Sequence, residues 1–151
     1  MRILITGARG QLGHALQQTL SGEDFILKDL PEFDLMQSES ESQIVAARPS
    51  AILHVGGYTN VDGAEREPDR ALAVNAQGTA FVARAAAALN ARLIYVSTDY
   101  VFDGTKATPY REEDVPHPIN VYGHSKYEGE IAALTAYDDR GFAGFSSIFT
   151  I

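Results

Sequence analysis

The sequence contains no cysteine, only three lysines and no long apolar run. The absence of cysteine excludes disulfides and thiolate metal sites. No segment approaches the roughly 20 apolar residues of a membrane-spanning helix, and the opening MRILITG is too short for the apolar core of a signal peptide. We therefore expect a cytoplasmic protein that does not associate with membranes.

Positive charge is also scarce, with 12 Lys and Arg against 20 Asp and Glu and a formal net charge of -8. Such an acidic chain is a poor candidate for nucleic acid or for an anionic lipid surface. The hydrophobic content of 45% is ordinary for a globular protein. A chain of this length buries about 70% of its unfolded surface, which is enough for one domain with its own core.

Short apolar runs alternate with segments of helical spacing along the chain. They predict strands and helices in alternation: strands at 2–6, 25–27, 51–55 and 92–97, and helices at 10–20, 38–48, 68–90 and 121–134. This order predicts a doubly wound parallel α/β sheet of the Rossmann-like kind. Ser38 and Glu41 suggest a capping box, Gly78 suggests a break in the alanine-rich third helix, and the proline-rich residues 103–118 suggest an ordered loop.

A glycine-rich turn, TGARGQLG, follows the first predicted strand and opens the first helix. Glycines at 7, 10 and 13 allow a tight turn, close approach of backbone N–H groups to a pyrophosphate, and a helix N-terminus facing the anion. The G-x-x-G-x-x-G spacing differs from the more common G-x-G-x-x-G, and an ordinary strand-to-helix turn is the alternative. We interpret the turn as the phosphate-binding loop of NADPH or NADH.

The residues that would choose between the two cofactors point in both directions. Asp29, near the end of the second strand, could bind a ribose 2′-hydroxyl and favour NADH. Arg9 in the glycine loop and Lys28 beside Asp29 could accept a 2′-phosphate. The balance leans slightly to NADPH.

A tyrosine and a lysine lie four residues apart in NVYGHSKYEGE, at Tyr122 and Lys126. On a helix this spacing puts both side chains on one face. A lysine ammonium lowers the pKa of a neighbouring phenol, which can then donate a proton to a carbonyl oxygen near neutral pH. A surface tyrosine packed on a lysine stem is the alternative, because the spacing by itself is weak evidence.

The strand at 92–97 ends in Ser97, Thr98 and Asp99. Ligands of open α/β sheets bind outside the carboxyl ends of the strands. A hydroxyl at this place can hydrogen-bond the carbonyl oxygen that Tyr122 would protonate, although Thr98 could equally satisfy its own backbone.

Together the glycine loop, the Ser-Thr-Asp strand end and Tyr122-x-x-x-Lys126 resemble the extended short-chain dehydrogenase/reductase family. Within it, residues 58–79, 97–114 and 118–130 resemble the members that reduce dTDP-4-dehydro-L-rhamnose to dTDP-L-rhamnose, and the resemblance runs from Met1 to about Leu134.

The resemblance implies hydride transfer from a nicotinamide to the 4-keto carbon of the dTDP-linked sugar. Tyr122 is then the general acid, Lys126 lowers its pKa and holds the nicotinamide ribose, and Thr98 positions the substrate oxygen. Asp99 and Tyr100 match positions on the substrate side, and Asn75 matches a helix asparagine near the active site. The implied cofactor-binding residues are Gly7, Arg9, Gly10, Gln11, Leu12, Gly13, Asp29, Asp34, Leu35, Gly56, Gly57, Tyr58, Tyr122 and Lys126.

The chain departs from the family pattern at two places. His54, Val55, Gly56 and Gly57 stand where the family usually has Asn-Ala-Ala-Ala. Residues 135–151 form a divergent tail in which the family's next strand is not recognisable. We therefore predict a cofactor-binding domain at 1–134, a missing substrate-binding region and no turnover by the 151 residues alone.

Two other functions are compatible with the same motifs. The family includes the non-catalytic regulatory subunit of methionine adenosyltransferase, and it includes sugar-nucleotide epimerases and dehydratases. Dehydratases carry an acid/base pair after the catalytic threonine, whereas Asp99-Tyr100 follows Thr98 here. The resemblance also implies a homodimer and Mg²⁺ in some full-length relatives.

Overall fold

The computed structural model describes residues 1–111, 113–138 and 146–150. Its sheet has five parallel strands in the order β2-β1-β3-β4-β5. The strands are β1 (Arg2–Thr6), β2 (Asp24–Lys28), β3 (Ala51–His54), β4 (Arg92–Ser97) and β5 (Ser146–Thr150). The order reverses direction between β1 and β3, which is the switch point where ligands of such sheets bind.

Six α-helices and two short helical turns connect the strands within the described ranges. They are α1 (Gln11–Thr19), α2 (Glu39–Ala47), α3 (Val61–Arg66), α4 (Pro68–Leu72), a π-helical turn (Ala73–Gln77), α5 (Gly78–Leu89), a 3₁₀ turn (Asp99–Val101) and α6 (Val121–Asp138). In these parts of the chain no helix is long and apolar enough to cross a membrane.

The core lies on both faces of the sheet because successive side chains of a strand point to opposite faces. Ile3 and Ile5 of β1 pack with α1 on one face. Leu4, between them, belongs to the larger cluster formed with Ile44 of α2 and Val82 of α5. Helices on both faces of a parallel sheet confirm the predicted doubly wound architecture.

Two local predictions were wrong, and one short helix was missed. The described part of the tail contains β5, which pairs in parallel with β4, so a strand exists where none was recognisable. Ser38 has helical backbone angles and makes no side-chain cap, because an N-cap residue needs an extended backbone. The break predicted near Gly78 is confirmed, since the π-helical turn ends directly before that residue. The short helix α3 was not predicted.

Candidate functional site

A cleft of about 780 Å³ opens at the switch point between β1 and β3. The glycine loop after β1, the loop after β3 and the start of α6 form its walls. The predicted cofactor residues that line it are Gly7, Arg9, Gly10, Gln11, Leu12, Gly13, Asp29, Gly56, Gly57, Tyr58, Tyr122 and Lys126. The remaining two, Asp34 and Leu35, line an adjoining cavity of about 240 Å³.

The two loops approach each other so closely that only glycine fits at the contact. Gly7 has a φ of +66°, in the left-handed region. A Cβ atom on Gly7 would lie 2.6 Å from the Cα atom of Gly56. This closeness leaves bare backbone facing the cleft, which is the arrangement that lets a pyrophosphate approach the chain.

Asp29, Arg9 and Lys28, which were proposed to choose between the two cofactors, have different contacts and do not all line the main cleft. Asp29 accepts hydrogen bonds from the backbone N–H groups of Arg9 (2.7 Å) and Leu30 (2.8 Å). The Arg9 guanidinium donates to the Leu30 carbonyl and to Glu32. Lys28 donates to Gln43 of α2 and lines a separate cavity, so of the two cations only Arg9 lines the main cleft.

Tyr122 lies at the N-terminal end of α6, where Gly123 permits close packing on the 3₁₀ turn. A Cβ atom on Gly123 would lie 2.1 Å from the Tyr100 carbonyl oxygen. Tyr122 therefore contacts the predicted substrate side: its ring meets the Tyr100 ring edge-on at 5.6 Å. Thr98, Asp99 and Tyr100 lie beside the cleft and do not line it.

The expected effect of Lys126 on Tyr122 is not found. Burial raises the pKa of Tyr122, the Thr98 hydroxyl opposes the rise, and Asp99 and Tyr100 add to it. Lys126 is buried, donates from Nζ to the Val96 carbonyl at 2.6 Å and lies 4.1 Å from the centroid of the Tyr95 ring. Burial lowers the pKa of Lys126 to about 7, against the attraction of Glu130. The Lys126 ammonium therefore hydrogen-bonds the backbone of β4 and not the Tyr122 phenol.

A buried asparagine joins the cleft loop to α6. The side-chain oxygen of Asn75 accepts the Tyr58 backbone N–H at 2.8 Å, and its nitrogen donates to the Tyr58 carbonyl at 3.0 Å. The same nitrogen donates to Ser125 Oγ at 2.9 Å, and Ser125 donates to the Tyr122 carbonyl at 2.7 Å. The π-helical turn that carries Asn75 therefore positions both the loop after β3 and the tyrosine.

Sequence reasoning missed Ser125 and Val96 as parts of the site. Val96 acts through its backbone carbonyl, which no side-chain pattern reveals, and Ser125 lay unremarked inside the Tyr-Lys motif. For the Mg²⁺ implied for full-length relatives, the described residues offer no group of three or more His, Asp or Glu side chains that could hold a metal ion.

An open parallel sheet with a glycine turn at its switch point, faced by a tyrosine-lysine pair on one helix, defines a Rossmann-like domain of the short-chain dehydrogenase/reductase type. The chain belongs to the family described as the RmlD substrate binding domain, whose model matches residues 1–149.

Similar proteins support the same assignment. A dTDP-4-dehydrorhamnose reductase of Sinorhizobium fredii is 46% identical over 138 residues, which are 90% of this chain and 47% of the relative. The structure of the Bacillus anthracis dTDP-4-dehydrorhamnose reductase in complex with NADP is 42% identical, with a TM-score of 0.82 over 89% of this chain and 49% of that one. The methionine adenosyltransferase 2 subunit beta of Bos taurus is 40% identical over 88% of this chain and 42% of the relative. The chain thus spans about half the length of the relatives it matches.

Proposed function

We propose that this chain is the cofactor-binding part of a dTDP-4-dehydrorhamnose reductase, with residues 1–134 as its NAD(P)H domain and the substrate-binding region outside the 151 residues. The reaction is the reduction of the 4-keto group of dTDP-4-dehydro-L-rhamnose to dTDP-L-rhamnose. The observation that carries the proposal is that the glycine loop, Tyr122 and Lys126 line one cleft, with Thr98 beside it.

The cleft fits a dinucleotide by its shape and by its donors. Glycines 7, 10, 13, 56 and 57 line the cleft without side chains, which lets phosphate oxygens approach the backbone N–H groups. α1 begins at Gln11, directly after the loop, and its N-terminus favours an anion. Lys126 lines the opposite wall, where we propose that it holds the nicotinamide ribose.

When bound in this cleft, the nicotinamide cofactor would supply a hydride for C4 of the sugar. Tyr122 supplies the proton to the carbonyl oxygen, and the product is the alcohol. Burial raises the pKa of Tyr122, so the phenol is protonated at neutral pH and ready to donate. We propose that the Thr98 hydroxyl, which donates to the Asp99 carboxylate at 3.3 Å, positions the substrate oxygen, and that Asp99 and Tyr100 extend the substrate side.

We propose that the cofactor is NADPH or NADH, with a lean to NADPH through Arg9. Arg9 and Asp29 both line the cleft, and the Arg9 side chain is the cation there that could receive a 2′-phosphate. Its partners Glu32 and Leu30 lie in an exposed loop, and an exposed ion pair of this kind contributes only about 0–1 kcal/mol. A phosphate can therefore displace Glu32 at little cost.

The first test is a titration of NADPH and NADH into the purified 151-residue chain, followed by nicotinamide fluorescence. Saturable binding is expected, and Arg9→Ala is expected to weaken NADPH binding more than NADH binding. Failure of a folded chain to bind either cofactor would refute the cofactor-domain assignment.

The second test uses the full-length enzyme context, because the substrate region is needed for turnover. Tyr122→Phe is expected to abolish reduction of the 4-keto sugar and to leave cofactor affinity unchanged, since the ring remains. Tyr127→Phe is the matched control, because Tyr127 is on the same helix and does not line the cleft. Loss of cofactor binding in Tyr122→Phe would show that its role is misassigned.

A second candidate function is that of a non-catalytic subunit, supported by the 40% identity to the bovine methionine adenosyltransferase subunit. That reading predicts a stable complex with a methionine adenosyltransferase and no loss of function in Tyr122→Phe. Measured reduction of the dTDP sugar that depends on Tyr122 would exclude it.

A further inference from the structure

A continuous chain of buried hydrogen bonds runs beneath the cleft through His54, at the end of β3. The Gly56 N–H donates to Thr6 Oγ1 at 3.2 Å, and Thr6 Oγ1 lies 2.6 Å from His54 Nδ1. On the other side of the ring, His54 Nε2 lies 3.0 Å from Thr79 Oγ1, which donates to the Asn75 carbonyl at 2.6 Å. Thr6, His54 and Thr79 are each fully buried.

The geometry fixes the direction of every bond in this chain. Thr79 has one hydroxyl proton, which goes to the Asn75 carbonyl, so His54 Nε2 must be the donor to Thr79. Nδ1 of the uncharged ring is then an acceptor, and the Thr6 hydroxyl donates to it. The Thr6 oxygen is left free to accept the Gly56 N–H. The proton of His54 is thereby confined to Nε2.

The surroundings favour the uncharged ring. The Tyr95 ring of β4 stacks on His54 at 5.3 Å, and Thr6 and Thr79 close the two edges. The charged group that acts on the ring is Lys126 of α6, which disfavours a positive charge on His54. Burial is the larger cause and the positive charge of Lys126 the smaller cause that together lower the pKa of His54 to about 3.

This series of hydrogen bonds holds the cleft-lining loop after β3 at two places, Gly56 and Tyr58. Thr6 fixes the N–H of Gly56, and Asn75 fixes both backbone groups of Tyr58. In this series of hydrogen bonds, His54 is the residue that connects Thr6 of β1 with Thr79 of α5. We propose that His54 is a positioning residue: as an Nε2–H imidazole it joins Thr6 to Thr79 and so sets the distance between the Gly56–Tyr58 loop and the π-helical turn.

This inference rests on the proposed cofactor cleft, and its first test needs no cofactor. Nitrogen-detected NMR of the ¹⁵N-histidine-labelled chain reports the tautomer of each ring, and the His54 signal is the one absent from His54→Gln. The expected signal is the neutral Nε2–H tautomer, unchanged between pH 8 and pH 5. An Nδ1–H tautomer, or a doubly protonated ring at pH 5, would overturn the proposal.

The second test breaks the chain at the end remote from the cleft. Thr79→Val keeps the side-chain shape, removes the acceptor of His54 Nε2–H, and leaves the lining of the cleft intact. We expect the Gly56 amide resonance to move and NADPH to bind about tenfold more weakly, the scale of one lost buried hydrogen bond. Thr79→Ser, which retains the hydroxyl, should restore both.

Ser40→Ala is the matched control, because Ser40 is buried on α2 and its hydroxyl has no partner among the described residues. It should change neither the resonance nor the affinity. A Gly56 resonance and a dissociation constant that stay unchanged in Thr79→Val would refute the positioning role. If the unaltered chain binds no NADPH, the proposed function fails, and the Gly56 resonance alone decides the role of His54.

Discussion

The contact between the glycine loop and the loop after β3 can be measured as a stability difference between two glycine substitutions. Gly7 and Gly104 have similar positive φ angles, +66° and +74°. A Cβ atom on Gly7 would lie 2.6 Å from Gly56 Cα, whereas a Cβ atom on Gly104 would meet nothing within 4 Å. Alanine at either position takes on the same backbone strain, and only alanine at Gly7 adds a steric overlap.

The magnitudes follow from these two contributions. Placing alanine in the left-handed region costs about 1–2 kcal/mol, and Gly104→Ala should lose this much stability. Overpacking adds about 1–3 kcal/mol, so Gly7→Ala should lose about 2–5 kcal/mol in total. The gain from restricting the unfolded chain is the same for both substitutions and cancels in their difference.

Urea unfolding followed by circular dichroism measures both free energies, and a fluorescence titration measures NADPH binding. Gly7→Ala should show no measurable binding, because relief of the overlap separates the two loops, while Gly104→Ala should bind like the unaltered chain. Equal destabilisation by the two substitutions, with binding preserved in Gly7→Ala, would refute the claim that the loops are in contact.

Three further outcomes can be checked on the same chain. The pKa of Lys126 is lowered to about 7 in the folded state, whereas its ordinary value is near 10.4. Between these two pH values the unfolded state binds more protons, so the free energy of unfolding should rise with pH. Lys126→Met should flatten this rise, as measured by urea unfolding at several pH values. Hydrogen bonds from Thr105, Tyr110 and His117 hold the pKa of Asp103 below its usual range. Asp103→Asn should therefore lower the protection factors of amide exchange around Asp103, and in the unaltered chain these factors should fall as the pH drops from the ordinary Asp pKa toward the lower folded one; unchanged factors would contradict the contacts. Glu41→Gln removes the ion pair with Arg84 that links α2 to α5, and because both groups are partly exposed the loss in urea unfolding should stay below about 1 kcal/mol.

The sequence predicted best those strands that are bounded by sharp chemical changes. The runs at 2–6 and 92–97 coincide with β1 and β4, because each apolar run gives way at once to Gly7 or Thr98. The helix α3 was missed because it has only six residues, and its stability comes from the Asn60 cap and from packing of Gly63 against Tyr58. The strand β5 was missed because it is defined by its pairing with β4, a long-range contact that no local pattern in the tail sequence predicts.

In the candidate site, too, the sequence predicted which side chains take part but not the backbone and packing contacts that they make. The glycine loop, Asp29, Tyr122 and Lys126 meet at one cleft because parallel strands end at the same edge of the sheet. The partner of the Lys126 ammonium could not be predicted, since it is the Val96 carbonyl. The burial that raises the pKa of Tyr122 was also out of reach, because it depends on how α6 packs over the 3₁₀ turn.

The π-helical turn at Ala73–Gln77 has a consequence for how this chain can change by insertion or deletion. Such a turn holds one more residue than an α-helical turn. Deleting that one residue would rotate the following helix α5 by about 100° relative to the preceding α4. That rotation would carry Thr79 and Val82, which follow the turn, out of their buried positions. A one-residue deletion in this alanine-rich helix, which looks tolerant in sequence, should therefore be among the least tolerated in the chain, whereas a substitution at an exposed position of the same helix should pass almost unnoticed.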